Sequence, residues 1–428
     1  MSARDIVLRF LALLALAAGF VRAADEPPTE WIDAATGHRV VRLSREPETA
    51  SLYFHQNPFT AEGDKMILVT PGGLSVLDLK TREIKLIVPG FTYSVRGSGG
   101  LEVGHKTRTV YYEKDGAIWA TQLDTLATRQ LAKLPPDTSM SAINADETLA
   151  VGILYEGPKP AGNVGWPAPG QIIRGPQGQE LPFAEQREVL LYERVQQKIP
   201  MALFTVDLRD GKINRFHHSS EWLGHVQFSP TDPQLVMFCH EGPWHMVDRL
   251  WSVRTDGTGL TKLHTRAMNM EIAGHEWFAA DGRTVWFDLQ TPRGEDFWVA
   301  GLELATGKRT QYHLERNFWS VHFNASPDGR LFAGDGGDSE MVAHAPDGKW
   351  IWLFRPERVP DVAGIRNPAA GNLADAGVFK AERLVNMAAH NYQLEPNVHF
   401  TPDMKWIVFR SNMHGPMHVY AVEIAKAK

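Results

Sequence analysis

Cysteine is nearly absent from this sequence: Cys239 is the single thiol in 428 residues, so no disulfide can form within the chain. An excess of charge of one sign is missing too. Forty-four Lys and Arg stand against fifty Asp and Glu, a formal net charge of −6, with no block of like charges. Nucleic acid therefore has no electrostatic footing here. An anionic substrate would have to be drawn by a local cation or metal, not by the global field. Beyond the N-terminal segment no apolar run is long enough to cross a bilayer. There is also no G-x-S-x-G elbow, no H-E-x-x-H helix and no Walker loop. The glycine-rich "GDGGD" ending at Asp338 follows a strand pattern with no helix after it, so it is a turn that sets Asp335 and Asp338 at a rim.

The start of the chain, "MSARDIVLRFLALLALAAGFVRAADEPP", carries Arg4 and Arg9, an apolar run from Phe10 to Phe20, and small residues at Val21 and Ala23. This is the layout of a secretory signal over residues 1–23 with cleavage near Ala23. The run is too short to serve comfortably as a membrane anchor. The expectation is a periplasmic or secreted protein with no stable membrane insertion once the signal is removed. The lone cysteine suits a bacterial periplasm better than a disulfide-stapled extracellular module.

A pattern recurs in the remainder: an aromatic or apolar residue, a small turn with Asp or Glu, then an apolar strand. It reads "FTAEGDKMILVT", "INADETLAVGIL", "FSPTDPQLVMFC", "FAADGRTVWFD", "NASPDGRLFAGD" and "FTPDMKWIVFRS", with a weaker unit at "TRTVYYEKDGAIWATQLDTLATRQL". Most copies are followed by a second strand pair with a Thr/Gly turn, as in "LSVLDLKTREIKLI". Units of two hairpins spaced roughly 45–50 residues apart are the signature of propeller blades. Seven units predict an all-β, seven-bladed β-propeller over residues 24–428 as one domain. The early strand "HRVVRLS" has no unit of its own and is expected to complete the last blade, closing the ring. Two stretches break the rhythm, near 156–200 and 355–390, and are expected as insertions covering one end of the ring.

Inner strands of propeller blades face the central channel, and ligand-capable residues fall just before the repeated turns. They are His55 and Gln56, His225 and Gln227, His275 and Glu276, and His322. The final unit, "NYQLEPNVHF", read as an extended strand, puts Gln393, Glu395, Asn397 and His399 on one face. Imidazoles with amide and carboxylate oxygens suit Mn²⁺, Fe²⁺, Ni²⁺ or Zn²⁺, whereas an oxygen-dominated set suits Ca²⁺ or Mg²⁺.

The stretches "YFHQNPFTAEGDKMILVT", "EWLGHVQFSPTDPQLVMFCHEGPWHMVDRLW", "GHEWFAADGRTVWF", "AGDGGD" and "HNYQLEPNVHFTPDMKWIVFRSNMHGP" resemble the oligogalacturonate lyases, over nearly all of the chain after the signal. The resemblance implies a seven-bladed propeller that cleaves short pectin fragments by metal-assisted β-elimination. It implies a divalent metal, usually manganese, held by three histidines and a glutamine, together with a histidine base and an assisting arginine. His275 matches the first metal histidine, His225 matches the base, and the glutamine falls at or beside Gln393. Glu395 and Asn397 stand where the other two metal histidines belong, which makes the site harder and opens it to Ca²⁺ or Mg²⁺; His399 could restore one imidazole. Ala202 and Thr205 occupy the places of the assisting arginine, and Arg194 or Lys198 could substitute from the first insertion. His55, His240, Arg249, His322, His399 and Arg410 are candidate contacts to an acidic oligosaccharide. Two other readings stay open: a lyase for a different acidic oligosaccharide, and a non-catalytic periplasmic propeller that binds sugar or protein. The number of subunits is not readable.

Overall fold

The computed structural model describes residues 26–93, 99–160, 165, 167–168, 170–360, 364–365 and 367–427; the expected signal segment lies outside them. Four of the repeated turns are closed in the same way. The residue after the apolar one turns its side-chain oxygen back to accept the backbone N–H five residues on. Thr60 does so for Lys65, Asn144 for Leu149, Ser326 for Leu331 and Thr401 for Trp406. This capped turn fixes the length of the first hairpin in those units, and the alternating apolar strands that follow then stack as sheets.

The sheets form seven blades of three to five strands around one axis, two of them joined at their outer edges. The first blade pairs Lys65–Thr70, Gly73–Asp78 and Ile84–Pro89, and its inner segment is tied on by the Ala50–Val69 and Phe59–Met66 bridges. The second runs from Leu101–Val103 to Thr128–Lys133, the third from Thr138–Ile143 to Ile213–Ser219, and the fourth from Leu223–Phe228 to Thr261–Lys262. The fifth runs from Ile272–Phe278 to Arg309–Leu314 and the sixth from Phe323–Ala325 to Asp375–Asn386. The seventh combines His399–Phe400, Trp406–Ser411 and His418–Lys426 with the N-terminal strands His38–Arg42 and Glu30–Ile32. The early strand thus closes the ring, as its sequence leads one to expect.

The two breaks in rhythm have different structures. Residues 156–200 sit between the second and third strands of the third blade and carry a helix, Phe183–Gln196. Much of 355–390, among the described residues, is strand instead of insertion. Trp350–Arg358 and Asp375–Asn386 pair as the outer hairpin of the sixth blade, and the latter strand also runs parallel to Arg309–Leu314 of the fifth. Alternation within "WIWLF" and "AERLV" reads as an ordinary strand pair once the long loop between them is set aside. No helix among the described residues is long and apolar enough to cross a membrane.

Candidate active site

Counting three residues back from the residue that precedes the repeated turn in the last four units (Phe228, Phe278, Ala325 and Phe400) lands on His225, His275, His322 and Asn397. Three of these carry left-handed backbone, with φ of 47° at His225, 45° at His275 and 55° at Asn397. In the fourth and fifth blades the pairing register skips between Gly224 and Gln227 and between Gly274 and Trp277, so each histidine sits on a bulge. A bulge re-aims a side chain at a local cost, roughly 1–2 kcal/mol for a non-glycine residue held left-handed. Packing of the inner strands around the axis over-determines that conformation at three equivalent places.

The result is a cavity of about 400 Å³ lined by His225, His275, Glu241, Glu395, Tyr53 and the arginines Arg187, Arg194 and Arg249, among others. His225 Nε2 lies 3.1 Å from Glu241 Oε1. Arg194 donates to the other oxygen of Glu241 while its guanidinium stacks 4.4 Å from the Trp222 ring. Burial would push the Glu241 carboxyl up, but Arg194, His225 and Arg249 outweigh it and hold the group well below the ordinary range. Arg249 donates from Nε to Glu276 at 3.1 Å, lies 4.8 Å from the Trp244 ring, and keeps Glu276 ionised against its own burial.

A second group of imidazoles adjoins the first. His275 Nδ1 is 3.1 Å from Asp288, and His322 Nδ1 is 2.9 Å from Asp335, so in both rings the carboxylate holds one nitrogen and leaves Nε2 on the far side. The two rings meet edge to face with centroids 4.8 Å apart. His322 Nε2 is buried without a hydrogen-bond partner among the described residues, 3.8 Å from Glu395 Oε2. Burial pushes His322 down to about 3, which keeps the ring neutral. The same burial pushes Asp335 up to about 7, opposed by the backbone N–H groups of His322 and Asn397. Imidazoles oriented by carboxylates, an orphaned ring nitrogen and an adjacent glutamate form a donor set that fits a divalent cation. A different trio, His225, Cys239 and Glu241, holds its ligand atoms within 4.8 Å of one another.

The remaining candidates separate by position. Gln393 is exposed and lines neither channel cavity, because residues 391–398 form a turn and only His399–Phe400 is strand. The shared face expected for Gln393, Glu395, Asn397 and His399 therefore does not exist; Glu395 alone reaches the cavity. Asn397 spends its side chain on backbone, accepting from Phe54 N at 3.0 Å and donating to the Glu395 carbonyl at 3.1 Å. The ring nitrogens of His399 face the carbonyls of Asn397 and Tyr53, at 3.1 and 3.2 Å. Arg410 is a buried strut that donates to the carbonyls of Glu395 and Ser51. His55 lies deeper in the channel and lines a second cavity of about 260 Å³, its ring 6.4 Å from that of His225. His240 is buried against Phe238 and Trp251, outside the cavity. Lys198 is exposed beyond the helix, whereas Arg194 enters the cavity. Sequence alternation missed Glu241, Arg187 and Trp244. For Arg187 a signal was present: Arg187, Leu191 and Arg194 are spaced by four and three, one face of a helix.

Comparison with known proteins agrees in fold and sequence. The profile of the family described as oligogalacturonate lyase matches residues 191–427. The chain is 24% identical over 414 residues to the oligogalacturonide lyase of Pectobacterium atrosepticum, covering 92% of this chain and 95% of that protein. It is also 24% identical over 412 residues to the oligogalacturonate lyase of Dickeya dadantii, at 92% and 95% coverage. Among solved structures it is similar to an oligogalacturonate lyase in complex with manganese, with TM-score 0.69, 24% identity and 93% and 96% coverage. An oligogalacturonate lyase from Vibrio parahaemolyticus gives TM-score 0.71 at 21% identity, with the same coverage.

Proposed function

The chain belongs to the oligogalacturonate lyase family, and from that premise we propose that its channel cavity binds short galacturonate oligomers and cleaves them by β-elimination. The observation that carries the reading is the convergence in one cavity of His225, hydrogen-bonded to the ionised Glu241, with the cations Arg187 and Arg249. The proton at C5 of a uronate is acidic because it neighbours the carboxylate, and its removal builds a second negative charge there. Arg187 and Arg249 face that charge. A divalent ion, for which His275, His322 and Glu395 are the donors we assign, would neutralise the carboxylate further. The manganese complex of the solved relative supports manganese as that ion.

His225 is the base. Its Nε2–H donates to Glu241, which fixes the tautomer with the lone pair on Nδ1, and Nδ1 takes the C5 proton. The C5–H electron pair becomes the C4–C5 double bond, and the glycosidic oxygen leaves C4 with its own bonding pair. Tyr53 lines the same cavity, and burial pushes its hydroxyl well up, so it stays a neutral donor suited to the leaving oxygen. We further place the protein outside the cytoplasm, on the support of Arg4, Arg9 and the short apolar run after them; N-terminal sequencing of the mature protein checks this.

The activity test is the rise in ultraviolet absorbance of the unsaturated product when purified protein meets oligogalacturonate and Mn²⁺. His225→Ala is expected to lose roughly 10²–10⁴-fold in kcat with the fold retained. No rise with any divalent metal sinks the proposal. A rise only with another uronide moves the substrate but keeps the chemistry.

A further inference from the structure

One trio of ligand-capable side chains is already close enough to share an ion: His225, Cys239 and Glu241. We propose that this trio is a site for a thiophilic divalent cation of the zinc and cadmium class, and that an ion held there disables the base. The binding half stands on the geometry alone; the inhibitory half rests on the lyase reading.

The donors differ in kind from the set at His275, His322 and Glu395. That set offers only nitrogen and oxygen, whereas a sulfur donor favours softer ions over manganese. Cys239 pairs across the sheet with Gly224, where the bulge of the fourth blade begins, so it faces a residue with no side chain. A Cβ at Gly224 would lie 3.0 Å from Glu241 Cγ, so glycine keeps open the space that the trio shares. Glu241 gives one oxygen to Arg194 and turns the other to His225, so a cation can stand where the His225 N–H now meets that oxygen. Arg249 is 3% exposed, its Nη1 has no hydrogen-bond partner among the described residues, and its charge acts on both Cys239 and Glu241. It would balance the thiolate that coordination creates.

Binding breaks the Cys239 S–H bond, forms a sulfur–metal bond and sends one proton to solvent, with no change of oxidation state. The Nε2 lone pair of His225 goes to the ion, and the ring proton moves to Nδ1, the atom that otherwise takes the C5 proton. Three protein ligands leave a fourth, open position toward the cavity, as in other tetrahedral sites. A thiophilic ion thus switches off turnover without touching the second group of imidazoles.

Because Cys239 is the only thiol in the chain, the test is spectroscopic. Cd²⁺ titrated into the metal-stripped full chain is expected to give a saturable sulfur-to-cadmium charge-transfer band, with one proton released per ion, displaced by Zn²⁺ and not by Mn²⁺. The band should vanish in Cys239→Ser. In His225→Ala, which keeps the thiol, it should require at least the roughly 10–100-fold more metal that loss of even an outer-shell partner costs. Folded wild-type protein that gives no band overturns the site. So does a band unchanged in His225→Ala and Glu241→Gln. In turnover assays with saturating Mn²⁺, Zn²⁺ should inhibit the wild type, and Cys239→Ser should escape. If the band appears but no uronide is cleaved under any condition, the site stands and the lyase reading falls.

Discussion

Glu241 joins His225 to Arg194, so its loss separates orientation of the base from binding of the substrate. Glu241→Gln keeps the shape but removes the charge that fixes the imidazole tautomer. A positioning role predicts kcat down by roughly 10–100-fold, KM moved far less, and partial recovery in Glu241→Asp; a change confined to KM would contradict it. His390 offers a stability test of the same kind. Its Nε2–H donates to the Leu394 carbonyl at 2.7 Å and its Nδ1 accepts from Ser411 at 2.8 Å, a pairing that suits the neutral ring, and burial pushes it down to about 4. The unfolded chain binds that proton near the ordinary value of about 6.5. The stabilisation is therefore complete above about pH 6.5 and is lost as pH falls toward 4, by up to about 1.4 kcal/mol per pH unit. Denaturation curves across that window should show the loss, and His390→Gln should flatten it by one proton's share. At this scale the sequence disclosed His225, His275 and His322, because they stand at a constant offset from a recognisable turn. It hid Glu241, which lies one residue beyond its strand and is placed by a backbone bond to the Trp222 carbonyl.

Elements explain where alternation misleads. The segment before His399 looks like a strand, but Asp335 takes the Asn397 N–H that a neighbouring strand would have taken, and Arg410 takes the Glu395 carbonyl. A turn with left-handed Asn397 results, and of the four expected ligands only Glu395 reaches the cavity that holds His225 and His275, while His399 lines the second cavity with His55. No local propensity signals this, since the competing partners lie far along the chain. The helix Phe183–Gln196 was overlooked because the stretch around it is rich in Gly and Pro, while its buried side chains make a narrow stripe. That stripe delivers Arg187 and Arg194 into the cavity with Leu191 between them. Arg194 bonds to Glu241, and Arg187, on one helical face with it, lines the same cavity and is the cation we assign to a substrate carboxylate. Arg187→Ala should raise KM about tenfold or more, the worth of one charge-assisted hydrogen bond, with kcat and thermal stability nearly unchanged. Equal losses in kcat and kcat/KM would instead assign Arg187 to the transition state.

At the scale of the whole molecule, the ring holds together because its last blade is built from both ends of the chain. Val40 pairs with Val422 and Val41 with Ala421. Successive residues of a strand point to opposite faces, so the two valines lock different neighbours. Val40 joins a cluster with Ile351, Leu384 and Val385 of the sixth blade, and Val41 joins Phe59, Met66 and Leu68 of the first. Both are essentially unexposed, at 0% and 1%. Val40→Ala and Val41→Ala should each cost roughly 2–3 kcal/mol. A strand that merely decorated an edge would show changes within about 0.5 kcal/mol. Truncation ahead of Leu43 is the stronger form of the same experiment. It uncovers the full edge of His418–Lys426 and the apolar faces of two blades at once, and an unpaired edge of that length invites association between chains. The truncated protein should therefore aggregate on concentration, and a monomeric, cooperatively folding product would mean that the ring does not depend on this closure.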